Sequence, residues 1–312
     1  MARARTVFFG SGAFAVPVLE AVVAAPELAL VAVVTVAPRP AGRRGEPTPT
    51  AVGARAAALG LPLLTPERLR DPEVVETLAE TRLDVGILAD YGKLLPGAVL
   101  DLAPRGILNV HPSLLPRHRG ATPIPTAILA ADATTGVSLF RMDPGMDTGP
   151  LVAVEASPLG PAEDAPRLEA RLAAVGAALV ARSIGPYLRG EITPWPQPDE
   201  GVSVTRPLER ADGHLDASST ALLLERRVRA LRPWPGTFLE LAEGRLTVLE
   251  ADVAPGQPGD VPGTLVTDGD NLALATTAGR LLLLEVRPAG GRSMEGRAYR
   301  RGHPGAVGSR VG

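Results

Sequence analysis

Residues 7–24, VFFGSGAFAVPVLEAVVA, decide how the first half of the chain is read. Val7-Phe8-Phe9 is a short apolar run of the kind a buried strand shows. Gly10-Ser11-Gly12 follows as a turn, and 13–24 reads as a helix. The same alternation continues outward. A β-branched second strand is expected at 28–36, then a Pro/Gly/Arg-rich loop at 37–49. Helices at 51–59, 72–81 and 97–102 alternate with strands at 61–64, 85–89 and 106–110. This order predicts an α/β fold with a parallel sheet and helices on both faces. In such sheets ligands bind beyond the carboxyl ends of the strands. Ala89-Asp90-Tyr91-Gly92 lies at one such end, and the loop after Val110 lies at another.

The chain has 312 residues, which suggests two domains or one large one. A long helix is expected at 165–188, where Leu168, Leu172, Val175, Leu179 and Ile184 recur at helical spacing. Residues 191–207 then contain Pro194, Pro196, Pro198, Gly201 and Pro207 and read as an extended linker. Beyond it comes one helix, 221–231, stopped by Arg232-Pro233-Trp234-Pro235-Gly236. Short strands between glycines follow at 237–241, 245–251, 263–266, 272–276 and 281–286. That pattern suggests a small β-barrel of the oligonucleotide-binding (OB) kind. The expected division is therefore 1–190, a linker at 191–207, and 208–312.

Composition removes several classes of function. With no cysteine there is no disulfide, thiolate metal site or cysteine nucleophile. No apolar run approaches a membrane span, and the N-terminus lacks a signal-peptide pattern, so a cytoplasmic protein is expected. The net charge of −2 announces no global basic field. Beyond Val286, however, Arg287, Arg292, Arg297, Arg300, Arg301 and Arg310 face Glu295 alone. Gly10-Ser11-Gly12-Ala13-Phe14-Ala15 fits one form of the dinucleotide fingerprint, G-x-G-x-x-A. That fingerprint needs an acidic residue at the end of the second strand to hold a ribose. Thr35-Val36-Ala37-Pro38 stands there instead, so a glycine turn serving the fold is the favoured reading. Arg39 leaves a 2′-phosphate contact open.

The chemistry concentrates in Asn109-Val110-His111-Pro112-Ser113-Leu114-Leu115-Pro116-Arg117-His118-Arg119-Gly120. Side chains alternate along a strand, so Asn109 and His111 share a side. An imidazole can move a proton near neutral pH, and a carboxamide can donate to a developing oxyanion. The pair suits attack of an amine on an acyl carbon; a satisfied polar pair at a strand end is the alternative. An expected strand at 135–143 leads into a second glycine-rich turn, Pro144-Gly145-Met146-Asp147-Thr148-Gly149, so that the stretch from Asp143 reads DPGMDTG. Asp147 could orient His111, or it could only cap its own loop as an Asx turn. His111 and His118 have no recognised ligand spacing, so no metal is expected. Asp90 is the acidic residue expected to face the cleft.

Taken together these stretches resemble the folate-dependent formyltransferases. The 109–120 stretch looks like that family's hallmark, and DPGMDTG matches its second motif. RPAGRRG (39–45), DYGKLLP (90–96), RALRPWPGTF (229–238) and PAGGRSMEG (288–296) resemble members of the family that act on methionyl initiator tRNA. The resemblance implies a Rossmann-like catalytic domain, an OB-like C-terminal domain, and 10-formyltetrahydrofolate as formyl donor. It implies Asn109, His111 and Asp147 as the catalytic trio, and folate contacts at Ser113, Leu114, Leu115 and Pro116, with Asp90 and Tyr91. Arg39, Arg43 and Arg44 would reach the tRNA. The expected partners are folate and initiator methionyl-tRNA, with no membrane and no metal, and the expected state is a monomer. A formyltransferase acting on a small amine, such as an amino sugar nucleotide, and a non-catalytic nucleic-acid-binding relative are the alternatives. The sequence departs from the family pattern at His118, Thr122, Pro125 and Pro207, and in GSGAFA and Asp90, but not at the trio.

Overall fold

The computed structural model describes residues 2–41 and 46–311. In chain order the first part contains β1 (Ala4–Gly10), α1 (Ala15–Ala24), β2 (Leu28–Val34), β3 (Arg39–Ala41), β4 (Glu46–Thr48), α2 (Ala51–Ala58), β5 (Leu63–Leu64), α3 (Pro72–Glu80), β6 (Val85–Ala89) and α4 (Gly97–Leu100). It continues with β7 (Ile107–His111), β8 (Arg119–Gly120), α5 (Pro123–Leu129), β9 (Thr134–Arg141), β10 (Leu151–Pro158), α6 (Ala165–Leu188) and β11 (Val204–Thr205). The chain divides into two units. One comprises Met1–Pro123, Thr134–Pro158 and Leu168–Thr205; the other comprises Ile124–Ala133, Leu159–Arg167 and Arg206–Gly312.

The first unit is built on a seven-stranded sheet of order β10-β9-β7-β6-β1-β2-β5. Strands β5, β2, β1, β6 and β7 run parallel, while β9 pairs antiparallel with both β7 and β10. The parallel α/β core is thus the one the sequence alternation implies. All residues of β6 and β7 are buried, as expected of central strands covered on both faces. β10 lies at an edge; Leu151 and Val152 are buried, and the residues after them alternate half-buried with exposed. In α1 the buried residues Ala15, Val18, Leu19 and Val22 fall at helical spacing, which gives the helix its core-facing stripe. Thr50 caps α2 by accepting from Gly53 N at 2.9 Å.

The two faces of the sheet separate by strand alternation. Val7, Phe9, Val34, Leu88 and Ile107 join a buried cluster with Leu78 of α3, Val99 of α4, and Tyr91. Val110 points the other way, against Gly176 of α6: a Cβ on that glycine would lie 2.8 Å from Val110 Cγ1. Asn109 and His111 therefore share the side of Ile107.

Several features go beyond the sequence reading. The 37–49 loop contains a short hairpin, β3 paired with β4 from Arg39↔Thr48 to Ala41↔Glu46. Residues 151–158 form a strand, because the DPGMDTG turn folds the chain back on β9. Residues 123–129 are helical despite Pro123 and Pro125; Pro123 opens the helix, where its missing N–H costs nothing.

The second unit contains α7 (Ala221–Ala230), β12 (Thr237–Leu241), β13 (Gly244–Ala254), β14 (Leu265–Asp268), β15 (Asn271–Ala275), β16 (Arg280–Pro288), β17 (Met294–Glu295) and α8 (Gly296–Gly302). Its sheet is all antiparallel, of order β12-β13-β16-β15-β14, with β17 paired to β16. Among the described residues no ladder joins β12 to β14. Its core gathers Leu224 and Val228 of α7, Leu239, Leu246, Val248, Leu272, Leu274, Leu281 and Leu283, with Tyr299 of α8. Arg280 is buried and pairs with Asp260 and Asp268, which draws the Asp260 carboxyl down to about 2. No helix among the described residues is long and apolar enough to cross a membrane.

Candidate active site

Strand β7 ends at His111, and its neighbours fix where the polar residues sit. Asn109 is in register with Leu88 of β6 and Phe140 of β9, and His111 with Ser138 of β9. Both side chains are buried, Asn109 with 8% and His111 with 5% of its surface exposed. Among the described residues nothing hydrogen-bonds the Asn109 carboxamide. The amide is not among the polar atoms sealed from solvent without a partner, so its donors stay open to a ligand or water.

The His111 ring faces two oxygens. Nε2 lies 2.9 Å from the backbone carbonyl of His118. Nδ1 lies 3.6 Å from Asp147 Oδ2. A carbonyl only accepts, so Nε2 carries the hydrogen and donates it, which leaves the lone pair of the neutral ring on Nδ1. Burial lowers the affinity of His111 for a second proton, and the Asp147 carboxylate and the His118 carbonyl partly oppose that; the His118 imidazole adds a smaller lowering. The net direction is downward, so the ring is neutral near pH 7 and able to accept a proton at Nδ1. Phe140 meets it edge-on at 6.5 Å.

Asp147 reaches this position through its turn. The Asx-turn role belongs to Asp143, whose Oδ1 accepts from Gly145 N at 3.1 Å and Thr148 Oγ1 at 2.7 Å. Asp147 instead points across the turn, and its Oδ2 accepts from Gly120 N at 2.7 Å. Gly120 is needed there: its φ is +98°, and a Cβ would come within 2.6 Å of Thr205 O.

The segment after His111 is locked by hydroxyls. Ser113 Oγ donates to Arg117 O at 2.6 Å, and Ser113 O accepts from Ser138 Oγ at 2.7 Å. Ser138 Oγ in turn accepts from Leu115 N at 3.0 Å. Leu115 and Pro116 are buried and Leu114 is half-buried; the Leu115–Pro116 peptide is cis. Tyr91 is buried edge-on against Phe9, its hydroxyl has no partner among the described residues, and burial pushes it up to about 12. Asp90 keeps solvent access, yet its carboxyl sits where a Cβ on Gly12 would be, and desolvation raises it. Glu169, also raised by burial, feels the Asp90 charge.

The structure thus brings Asn109, His111 and Asp147 together around the end of β7, with 113–116 following directly. Arg43 and Arg44 lie outside the described residues, and of Arg39 only the backbone, in β3, is described. Among the described residues no group of metal-ligating side chains is found. Two participants escape sequence reading. One is the His118 backbone carbonyl, which any residue could supply. The other is Gln197, whose Nε2 donates to Asp147 O at 2.7 Å and Gly149 O at 2.8 Å. Fifty residues separate it from the turn, and no local pattern signals the contact.

A parallel sheet carrying this Asn, His and Asp at one strand end, followed by an antiparallel domain, is the organisation of the formyl transferases, and the chain belongs to that family. The formyl transferase model matches residues 4–184, and the model of the formyl transferase C-terminal domain matches 207–304. Its relatives narrow the class. The chain is 44% identical over 300 residues to the methionyl-tRNA formyltransferase of Chloroflexus aurantiacus, covering 96% of each chain. It is 43% identical over 309 residues to that of Thermus thermophilus, covering 99% of each. Among solved structures it resembles an N-formyltransferase from Helicobacter canadensis in complex with folinic acid and dTDP-3-aminofucose, at TM-score 0.63 and 13% identity, over 90% of this chain and 98% of that one. HypX from Aquifex aeolicus in complex with tetrahydrofolic acid aligns at TM-score 0.63 and 15% identity. The alignment takes in 98% of this chain but only about half, 48%, of HypX. At these identities the structural matches speak to the fold alone.

Proposed function

We propose that this protein transfers the formyl group of 10-formyltetrahydrofolate to the α-amino group of methionyl initiator tRNA. The observation that carries the reading is the His111 ring, held between the His118 carbonyl and the Asp147 carboxylate beside an unbonded Asn109 carboxamide. The relatives at 43–44% identity over nearly the whole chain favour tRNA over a small amine. The folate supplies a formyl group on a nitrogen that can leave. Residues 113–116, with Asp90 and Tyr91, would contact the folate.

As the methionyl amine attacks the formyl carbon, Nδ1 of His111 takes its proton. The Asp147 carboxylate stabilises the imidazolium so formed, and the Asn109 amide donates to the negative charge growing on the formyl oxygen. The C–N bond to methionine forms, the bond to the folate nitrogen breaks, and the proton ends on that leaving nitrogen. Residues 1–190 would carry this chemistry in the cytoplasm, where translation starts. Residues 208–312, with Arg39, Arg43 and Arg44, would hold the tRNA backbone.

The test is formyl transfer by purified protein to methionyl initiator tRNA and, separately, to an amino sugar nucleotide. Product on the tRNA alone supports the reading. Product on the sugar alone overturns the substrate, and product on neither leaves a non-catalytic relative.

A further inference from the structure

The proline-rich stretch before β11 does more than lead from one unit to the next. Trp195 pairs with Leu151 at the start of β10: Leu151 N donates to Trp195 O at 2.7 Å and Trp195 N to Leu151 O at 2.9 Å. Ten residues later β11 pairs parallel with β8, Val204↔Arg119 and Thr205↔Gly120. Residues 195–205 are thus tied at both ends to the two loops that flank His111, the Asp143–Gly149 turn and the Ser113–Gly120 segment.

Between those ties, two side chains act on the groups that face the ring. The Gln197 amide donates to Asp147 O and Gly149 O and accepts from Arg119 Nε at 3.1 Å and Nη2 at 2.7 Å. Two donors and two acceptors are all a carboxamide has, and the network fixes which end is oxygen. Ser203 Oγ accepts from His118 N at 2.8 Å, and Ser203 O accepts from Arg119 N at 2.9 Å. Asp147 and His118 have φ of +52° and +57°. A residue other than glycine keeps that conformation only when its surroundings impose it. Here both such residues are held by the same segment, and they are the two that face Nδ1 and Nε2 of His111.

We infer that residues 195–205 form a strap belonging to the catalytic site, with Gln197 the positioning residue that holds Asp147 against His111. The inference rests on the roles proposed above for His111 and Asp147. Gln197 touches no reacting atom; it acts through the carbonyls of the turn.

The test compares Gln197→Leu, Gln197→Glu and a control outside the strap, Glu76→Gln on α3, whose side chain is exposed. Glutamate keeps acceptors for Arg119 but has nothing to donate to the two carbonyls. Both Gln197 variants should lower kcat about 10- to 100-fold, with KM for the folate little changed, because a small misplacement of an aligned group costs that much. The groups facing His111 are the Asp147 carboxylate, which favours its protonation, and the His118 carbonyl and imidazole. A loosened Asp147 should therefore move the acidic limb of the kcat–pH profile to lower pH. An NMR titration of the His111 ring in the free protein should show the same downward movement, and it needs no substrate. Glu76→Gln should match wild type. A fall in kcat without movement of the limb or of the His111 titration means a merely structural tie and overturns the inference. So does rescue by glutamate, or a rise only in KM for tRNA. If wild type formylates no tRNA, the proposed substrate fails, while the NMR comparison still decides whether Gln197 positions Asp147.

Discussion

Replacing Asp147 by Asn removes a charge and almost nothing else. The amide retains an oxygen that can accept from Gly120 N, now met at 2.7 Å, so the turn keeps its crossing bond. What is lost is the carboxylate 3.6 Å from Nδ1. Two unit charges at that separation attract by about 4–5 kcal/mol at an effective dielectric of ~20. The Asp147 side chain is 15% exposed, so water and local rearrangement recover part of the loss. About 3 kcal/mol is left for the transition state in which His111 carries the proton, or roughly two orders of magnitude in rate. Single-turnover formyl transfer to methionyl initiator tRNA, with saturating folate, reads the chemical step directly. The variant should lose kcat by about a hundredfold, with KM for folate held and the melting temperature little changed. Wild-type kcat, or a loss expressed wholly in KM for folate, would refute an electrostatic role for Asp147 and assign it to binding.

Three other perturbations address the same frame. His111 binds its proton less readily in the fold than a free imidazole, so its contribution to stability is full above about pH 6.5 and is lost as pH falls through the lower folded value. The difference in melting temperature between wild type and His111→Asn should shift against wild type on acidification; a difference independent of pH would contradict this. Asp90 is displaced the other way, so its ionised form is disfavoured in the fold and stability is lost as pH rises through the folded value. Asp90→Asn should therefore raise the melting temperature at pH 7 and give no gain below about pH 4, where the free carboxyl is itself protonated; an equal gain at both would point to packing. In Gly136→Ala a Cβ would lie 2.1 Å from Glu155 O and 2.6 Å from Leu114 Cδ2. Parting β9 from β10 should cost about 1–3 kcal/mol in thermal unfolding and weaken folate binding through Leu114; an unchanged melting temperature would show that the hairpin yields freely.

The architecture was legible where the pattern is strong and local. The strand at 85–89, the helix at 165–188 and the strand at 237–241 appear with the expected limits, because each is a sustained run of one period between clear breaks. β10 was missed because LVAVEASP alternates only once paired, and its partner lies on the far side of a turn read for its acidic residue. The β3–β4 hairpin is held by backbone pairing across a proline- and glycine-rich stretch that carries no strand composition. For the site, two residues apart on one strand made Asn109 and His111 readable as a pair. The sequence left Asp147 open between two roles, and the structure gives the Asx turn to Asp143. The His118 carbonyl has no signature, since every residue has one. The grip of Gln197 on the turn exists only after the chain has closed over fifty residues.

The carbonyl on Nε2 also limits how the proton can travel. An imidazole open at both nitrogens can work as a relay, loading on one side and discharging on the other. Here one side is stoppered by the His118 backbone, so a proton taken at Nδ1 must leave by the door through which it came. In the proposed transfer, each turnover at such a ring would be a round trip past Asp147, with the amine proton and the leaving nitrogen meeting on the Nδ1 side.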